Sequence, residues 1–143
     1  MLGLQAGSAA LIHAIMRNDV TVLSGETDCK HATELILARG LPGAPVVDDR
    51  HRLIGYITLS DLLRYYYSEH NVLASSTVFE RMSPVACVLG WDSSLPHTIS
   101  ALAASASWLP ELPVVSVDGT VIGLVGAVDV LRFQILANLA VHG

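Results

Sequence analysis

An internal repeat constrains the fold of this chain more than any other feature of its 143 residues. Short motifs in the first half recur in the second half in the same order, 68 residues further along. The matched pairs are Leu41-Pro42 and Leu109-Pro110, Pro45-Val46-Val47 and Pro113-Val114-Val115, Ile54-Gly55 and Ile122-Gly123, Asp61 and Asp129, and Leu63-Arg64 and Leu131-Arg132. A fixed period of this kind indicates one supersecondary unit that occurs twice.

The repeat extends upstream with a slightly smaller offset. Met16 matches Met82 and His31 matches His97, and both pairs are 66 residues apart. Two extra residues in the second copy, between His97 and Ser107, account for the change of offset.

The sequence pattern of each copy predicts the element order β-α-β-β-α. A short β-rich segment (residues 20–23 and 85–89) precedes a helix with Asp28 or Ser94 as its N-cap, because both are favoured cap residues. Two apolar strands then flank a polar turn, at 44–47 and 53–58 in the first copy and at 112–117 and 121–125 in the second. The last helix covers 59–67 and 127–139, and a further helix over 9–16 leads into the first copy.

The repeat predicts an α/β (α+β) fold. A three-stranded sheet with two helices on one side leaves its other face apolar, so we expect the two β-α-β-β-α repeats to pack through their sheets about a pseudo-twofold axis. The expected organisation is a lead-in helix in 1–14, the first repeat in 15–67, a connector in 68–77, the second repeat in 78–139 and a tail in 140–143.

The composition predicts a folded chain that associates with another copy of itself. Hydrophobic residues make up 52% of the chain and charged residues only 15%, which excludes disorder. Because this apolar excess is larger than one small domain usually buries, we expect a homodimer. Residues 71–143 hold only two basic and five acidic side chains, so the second half is the expected seat of the interface.

Charge and cysteine content exclude several kinds of partner and location. The net charge is −5, and the eight Lys and Arg residues form no cluster of the kind that binds a phosphate backbone, so we expect no nucleic acid partner. The most apolar run, 114–128, is interrupted by Asp118-Gly119 and is shorter than the roughly 20 residues that span a bilayer, which predicts no membrane insertion. Two cysteines without metal-site spacing predict a reduced, cytoplasmic protein.

Neither a metal site nor a catalytic site is predicted. The six histidines are scattered without ligand spacing. No motif places a Ser or Cys nucleophile beside an oriented base. We therefore expect a protein that is not an enzyme and that holds no metal or cofactor.

The repeated pattern resembles a known family. The sequence Leu-Ile-Gly-Tyr-Ile-Thr-Leu-Ser-Asp-Leu-Leu-Arg, preceded by Val-Thr-Val and Pro-Val-Val-Asp, is similar to a cystathionine-β-synthase (CBS) domain. Two such domains in tandem resemble a CBS pair, or Bateman module, and the likeness spans residues 15–132. Its most specific part is Gly55, Thr58 and Asp61. The resemblance implies a regulatory protein that binds AMP, ADP, ATP or S-adenosylmethionine in clefts between its repeats, and that dimerises.

The resemblance also implies the residues of two clefts. The first cleft would be formed by Thr58, Ser60, Asp61, Ala86, Cys87, Leu109, Pro110 and Glu111. The second would be formed by Val20, Thr21, Leu41, Pro42, Gly43 and Asp129. A carboxylate suits a ribose, because it is an acceptor that can take both hydroxyl donors of the diol.

Three features leave a structural alternative open. Thr58 and Asp61 also fit a capping box that only stabilises a helix start. Gly126 stands in the second copy where Thr58 stands in the first, and Glu111 would repel phosphate. The alternative is therefore a homodimerisation module with vestigial, empty clefts. In either case the effector would be a separate protein or a fused domain.

Overall fold

A computed structural model describes residues 8–69, 76–85, 87–106 and 109–142. The helices and strands follow in the order α1 (Ser8–Ile15), β1 (Leu23–Ser24), α2 (Cys29–Ala38), β2 (Gly43–Val47), β3 (Leu53–Thr58), α3 (Leu59–Glu69), α4 (Val78–Arg81), β4 (Leu89–Gly90), α5 (Leu95–Ser105), β5 (Glu111–Val115), β6 (Val121–Gly126) and α6 (Ala127–His142). The predicted order β-α-β-β-α is confirmed in both copies, as β1-α2-β2-β3-α3 and β4-α5-β5-β6-α6. The predicted mixed α/β (α+β) fold class is confirmed with it.

The chain divides into two compact units. Unit A consists of Thr21–Ala86 and Gly119–Val121, and unit B consists of Met1–Val20, Cys87–Asp118 and Ile122–Gly143. The start of the first sequence repeat thus belongs to the unit that holds most of the second repeat. The domain boundaries predicted above follow the sequence repeat, and they stay a prediction.

Unit A contains a three-stranded sheet with the order β1-β2-β3. Strand β1 is parallel to β2, with Leu23 opposite Val46, and β2 is antiparallel to β3. All five residues of β2 are buried, which explains why the sequence there is continuously apolar rather than alternating. The core combines this strand with the inner faces of the helices, and its members are Leu23, Cys29, Ala32, Ile36, Ala44, Val46, Ile57, Leu62, Tyr65 and Val78.

Unit B contains the equivalent sheet, with the order β4-β5-β6. Strand β4 is parallel to β5, with Leu89 opposite Val114. Helix α1 contacts α5 and α6, and the chain then forms a bridge in which the backbone N–H and C=O groups of Arg17 and Leu124 are joined by two hydrogen bonds of 2.9 Å. The buried apolar residues of this unit include Ile12, Ile15, Leu89, Leu112, Val114, Leu124, Val125 and Val130.

Both predicted helix caps are present. The Asp28 carboxylate accepts a hydrogen bond of 2.8 Å from the backbone N–H of His31, and the Ser94 hydroxyl accepts one of 3.2 Å from that of His97. Helix α2 has 10 residues and α5 has 11, so one of the two extra residues of the second copy lengthens the helix. The other lies between α5 and β5.

Several predicted boundaries are wrong. The strands predicted over 20–23 and 85–89 are reduced to Leu23–Ser24 and Leu89–Gly90, because only these residues find partners on the neighbouring strand. Strand β5 ends at Val115 rather than at 117, where Val117 is exposed and the Ser116 hydroxyl donates a hydrogen bond to Asp118. The last helix of each copy continues past its predicted end, to Glu69 and to His142.

In the part of the chain that the structure describes, no helix has the length and apolar character needed to cross a membrane.

Candidate functional site

The two repeated aspartates occupy equivalent positions at the starts of two helices. Strand β3 leads directly into α3 and β6 leads directly into α6, so the last strand residue, Thr58 or Gly126, becomes the N-cap. Asp61 and Asp129 are the third residues of these helices and lie in the first turn, where the helix dipole favours a negative charge. The surroundings of the two carboxylates differ.

In unit A, Asp61 completes a reciprocal capping box. Its Oδ2 atom accepts a 3.0 Å hydrogen bond from the backbone N–H of Thr58, and its own N–H donates a 3.0 Å hydrogen bond to Thr58 Oγ1. The capping interpretation of Thr58-x-x-Asp61 is thereby confirmed. The second carboxylate oxygen, Oδ1, accepts a hydrogen bond of 2.8 Å from Arg64 Nη2.

The partner of Asp61 is a surface side chain. The Arg64 side chain is 76% exposed, whereas that of Asp61 is 13% exposed. Exposed ion pairs contribute about 0–1 kcal/mol, so moving Arg64 away from Asp61 costs little free energy. The Oδ1 edge of Asp61 is therefore an acceptor that a ligand hydroxyl can reach at small cost.

The segment before the first Pro-Val-Val motif lies beside this capping box. Gly43 is opposite Thr58 in the β2–β3 register, and the Leu59 N–H donates a 3.0 Å hydrogen bond to the Pro42 carbonyl. A Cβ atom on Gly43 would lie 2.7 Å from the ring of Tyr56, so no larger residue fits at this position. Four predicted site residues, Pro42, Gly43, Thr58 and Asp61, are thus close together within unit A.

In unit B, an arginine holds the equivalent carboxylate. Asp129 Oδ2 accepts a hydrogen bond of 2.7 Å from the Gly126 backbone N–H and one of 3.2 Å from Arg17 Nε. The Nη2 atom of Arg17 also donates to Oε2 of Glu111, the first residue of β5. We call Arg17, Glu111 and Asp129 the arginine-bridged cluster.

The carboxylates of the arginine-bridged cluster are almost completely buried. The side chains of Glu111 and Asp129 are 8% and 6% exposed, and that of Arg17 is 43% exposed. Burying a carboxylate without a partner is strongly unfavourable, and removing one member of a buried ion pair costs about 3–5 kcal/mol. Arg17 therefore offsets the charge of Glu111, which the sequence predicts to repel phosphate.

The charge state of Arg17 reflects these contacts. Burial by itself lowers the pKa of the Arg17 guanidinium. The hydrogen bond and charge of Glu111, together with the charge and hydrogen bond of Asp129, outweigh that effect and leave the pKa raised above its ordinary value. Arg17 is therefore a permanent cation in this cluster.

The pre-proline segment of unit B joins the cluster. Leu109 is buried and Pro110 is exposed. A Cβ atom on Gly126 would lie 3.5 Å from the Pro110 carbonyl and 3.6 Å from Glu111 Cβ, which are ordinary contact distances. Pro110, Glu111 and Asp129, all predicted site residues, are therefore neighbours.

The remaining predicted residues lie elsewhere in each unit. Ser60 is exposed and borders a hollow of about 290 Å³ lined also by Leu37, Leu63 and Tyr66. Thr21 accepts a 2.7 Å hydrogen bond from Arg39 at its hydroxyl.

Three more predicted residues are half-buried. These are Val20, Leu41 and Cys87. The strand predicted over 85–89 would include Cys87, but Cys87 lies before β4. Ala86 lies outside the described residues. The grouping of these residues into two clefts stays a prediction.

Sequence reasoning missed Arg17. The signal that could have found it is a paired departure from the repeat: Arg17 stands where the second copy has Ser83, and Glu111 stands where the first copy has Gly43. Each departure adds one charge to unit B, a cation at position 17 and an anion at position 111, and a new ion pair requires such a combination. Over the described ranges, no three His, Cys, Asp or Glu side chains are grouped so that they could hold a metal ion.

Two curated proteins of Methanocaldococcus jannaschii are similar to parts of the chain. A methylated protein is 28% identical over 102 residues, which are 71% of this chain and 56% of that protein. Inosine-5'-monophosphate dehydrogenase is 40% identical over 50 residues, which are 35% of this chain and 10% of the enzyme. The chain thus spans about half the length of one relative and a tenth of the other.

Solved structures give a longer match. The CBS-pair protein CBSX2 from Arabidopsis thaliana has a TM-score of 0.73 and 26% identity, covering 86% of this chain and 91% of that one. A structure of CBSX2 in complex with AMP has a TM-score of 0.70 and 28% identity, covering 86% and 93%. Residues 12–68 match the CBS domain family. The family match over residues 12–68, the internal repeat and the likeness to these CBS-pair structures together support a tandem pair of CBS domains.

Proposed function

We propose that this CBS pair is a regulatory module that binds an adenosyl ligand (AMP, ADP, ATP or S-adenosylmethionine) and has no catalytic activity. The observation that carries the proposal is the similarity to CBSX2, which has been solved in complex with AMP, over 86% of this chain. We place the protein in the cytoplasm, where both of its free cysteines would stay reduced.

The geometry around Asp61 supports this proposal. A carboxylate offers about four acceptor positions on its two oxygens, and the capping box and Arg64 use one on each. The remaining positions can accept hydrogen bonds from the two hydroxyls of a ribose. Helix capping and ligand binding by Asp61 are therefore compatible.

The regulatory step would be a shift between conformations. A ligand that binds one conformation more tightly increases its population by an amount set by the difference in affinity. Bound ligand also stabilises the folded chain, by about 2.7 kcal/mol at a concentration 100 times the dissociation constant. The receiver of the signal would be a separate effector protein or a domain fused to this one.

Thermal shift and isothermal titration calorimetry with the four adenosyl compounds test the proposal. At least one of them should raise the melting temperature of the wild type. Asp61→Asn should abolish that shift, whereas Asp92→Asn, at an exposed turn residue, should leave it intact. Absence of heat and of any shift with all four compounds would refute ligand sensing.

A second candidate function is homodimerisation without a ligand. One face of α6 exposes a stripe of apolar side chains, each at least 59% exposed: Val128, Leu131, Ile135, Leu136 and Leu139. This spacing places them along one side of the helix, and the same stripe on a second copy would be self-complementary about a twofold axis. We propose that the chain is a homodimer through this stripe, whether or not it binds a ligand.

Analytical ultracentrifugation tests the dimer. Leu131→Glu in the middle of the stripe should convert the dimer into a monomer, because it places a charge in an apolar contact. Val117→Glu, at an exposed apolar residue outside α6, should leave the dimer intact. A monomeric wild type, or a dimer unchanged by Leu131→Glu, would refute the proposed interface.

A further inference from the structure

We propose, building on the proposed function, that each chain binds a single adenosyl ligand at the Asp61 carboxylate of unit A. The equivalent carboxylate of unit B, Asp129, is occupied by the chain's own Arg17. The two sequence repeats have thus diverged into one ligand-accepting site and one internally filled site.

The two carboxylates start from equivalent positions. Each is the third residue of a helix that follows directly on a strand, and each accepts a hydrogen bond from the backbone N–H of the N-cap residue. The difference lies in what else contacts the carboxylate, which is surface residue Arg64 in unit A and Arg17 in unit B.

Arg17 acts as an internal substitute for a ligand. Its Nε–H donates to Asp129 Oδ2, and a ribose hydroxyl would need to donate to the same carboxylate. Its Nη2 is held by Glu111, so the guanidinium is fixed at two points. The Gly126 N–H and the Arg17 Nε–H together use both acceptor positions of Asp129 Oδ2, so a ligand hydroxyl at that oxygen would have to displace the guanidinium.

Displacement is far less favourable in unit B than in unit A. Moving Arg17 would break its contacts with two carboxylates that are 8% and 6% exposed. Moving Arg64 away from Asp61 breaks an ion pair whose basic member is 76% exposed. From the usual difference between buried and surface ion pairs, we expect affinity at Asp129 to be at least about a hundredfold weaker than at Asp61.

Charge reinforces the difference for ligands that carry phosphate. The arginine-bridged cluster contains two carboxylates and one guanidinium, and so has a net negative charge. Asp61 and Arg64 balance each other, and no acidic side chain fits at position 43 because the Tyr56 ring is too close. Phosphate is therefore repelled more strongly in unit B than in unit A.

Calorimetric stoichiometry is the decisive measurement. Titration of the wild type with whichever of the four compounds binds should give one ligand per chain. Asp61→Asn should abolish binding, whereas Asp129→Asn should keep one ligand per chain at an affinity within about threefold of the wild type while lowering the melting temperature. Two ligands per chain, or loss of binding in a folded Asp129→Asn variant, would overturn the assignment while leaving the proposed function standing. No binding of any compound would refute the proposed function itself.

A variant that restores the unit A residues tests the role of Arg17 directly. Arg17→Ser with Glu111→Gly reproduces in unit B the residues that stand at 83 and 43 in unit A. This double variant, once its fold is confirmed by circular dichroism, should bind a second ligand that Asp129→Asn removes. A folded double variant that still binds one ligand per chain would show that Arg17 is not what closes the second site.

Discussion

The sulfur of Met16 lies 2.5 Å from the position that a Cβ atom on Gly123 would occupy. The same arrangement recurs in unit A, where Met82 occupies the space beside Gly55. In both units a backbone carbonyl also lies close to that position, the Arg17 carbonyl at 3.1 Å and the Ser83 carbonyl at 3.0 Å. The repeated methionine and the repeated glycine are thus two halves of one packing contact.

Gly123→Ala is expected to destabilise the chain by about 1–3 kcal/mol, because the added methyl group overlaps both the Met16 side chain and a backbone oxygen. Urea denaturation followed by circular dichroism measures the change. Gly126→Ala, three residues along the same strand, is the matched control. Its Cβ meets nothing closer than 3.5 Å, so only the weaker N-cap of alanine remains, and the loss of unfolding free energy should be smaller than that of Gly123→Ala, under about 1 kcal/mol. Equal effects of the two substitutions would contradict the contact with Met16.

Arg17→Ala is expected to lower the free energy of unfolding by about 2–3 kcal/mol. The buried carboxylates of Glu111 and Asp129 lose their contacts with Arg17, although water replaces part of this stabilisation because Arg17 is 43% exposed. Arg132→Ala, at an exposed position of α6, is the control and should change stability little. Adding Glu111→Gln to Arg17→Ala should recover part of the loss. A loss no larger than that of the control would show that the arginine-bridged cluster does not form in solution.

His51→Gly is expected to stabilise the chain by about 0.5–1 kcal/mol. His51 is exposed and has a φ of +64°, in the left-handed region, and the matching position in the second copy is Gly119 with a φ of +88°. Replacing a residue with a side chain by glycine relieves strain there, and the relief exceeds the entropic cost of glycine. His51→Ala is the control, because it removes the imidazole but keeps the strain. Stabilisation by alanine as well as by glycine would point to the imidazole and not to the backbone.

The start of α2 is expected to depend on pH. Hydrogen bonds from the backbone and then the ring of His31 lower the pKa of Asp28, and the hydrogen bond and charge of Asp28 raise the pKa of His31. The carboxylate's contribution to stability is lost as the pH falls through its lowered pKa. The imidazole's contribution is complete below its ordinary pKa and is lost as the pH rises through its raised pKa. The interaction is therefore strongest between about pH 4 and 6.5.

Melting temperatures of His31→Gln and wild type at pH 5.5 and 8.5 test this dependence. The substitution should destabilise the chain more at pH 5.5. His97→Gln is the matched control, because its helix is capped by the uncharged Ser94, and its effect should be the same at both pH values. Equal effects of His31→Gln at the two pH values would rule out the ion pair with Asp28.

Much of the fold was predictable because it depends on local pattern and on the repeat. Continuous apolar runs located β2 and β3, cap residues located the starts of α2 and α5, and the Asp118-Gly119 pair located a turn. Each of these signals involves residues that are neighbours along the chain. The lengths of β1 and β4 were overestimated. The length of each strand depends on how many residues pair with a strand that is distant in sequence, and the local composition does not determine that number.

Part of the candidate site was predictable because some of its residues are neighbours along the chain. Asp61 and Thr58 are three residues apart, so their capping box follows from spacing alone. Arg17 and Asp129 are 112 residues apart, and their contact depends on residues 15–20 packing in unit B, which no local pattern indicates. The left-handed conformation of His51 was not predicted because residues other than glycine adopt it uncommonly, although its alignment with Gly119 marks the position.

The packing of residues 16 and 17 against Gly123 and Leu124 has a practical consequence for truncation experiments. A deletion from the amino terminus past Arg17 would therefore destabilise unit B, which consists mostly of the second repeat. A single repeat excised at its sequence boundaries would lack the methionine that packs against its own glycine. The boundaries of fragments intended to fold alone should follow the compact units rather than the sequence repeat. A fragment that starts at Thr21 and continues through Ala86 keeps Gly55 together with Met82.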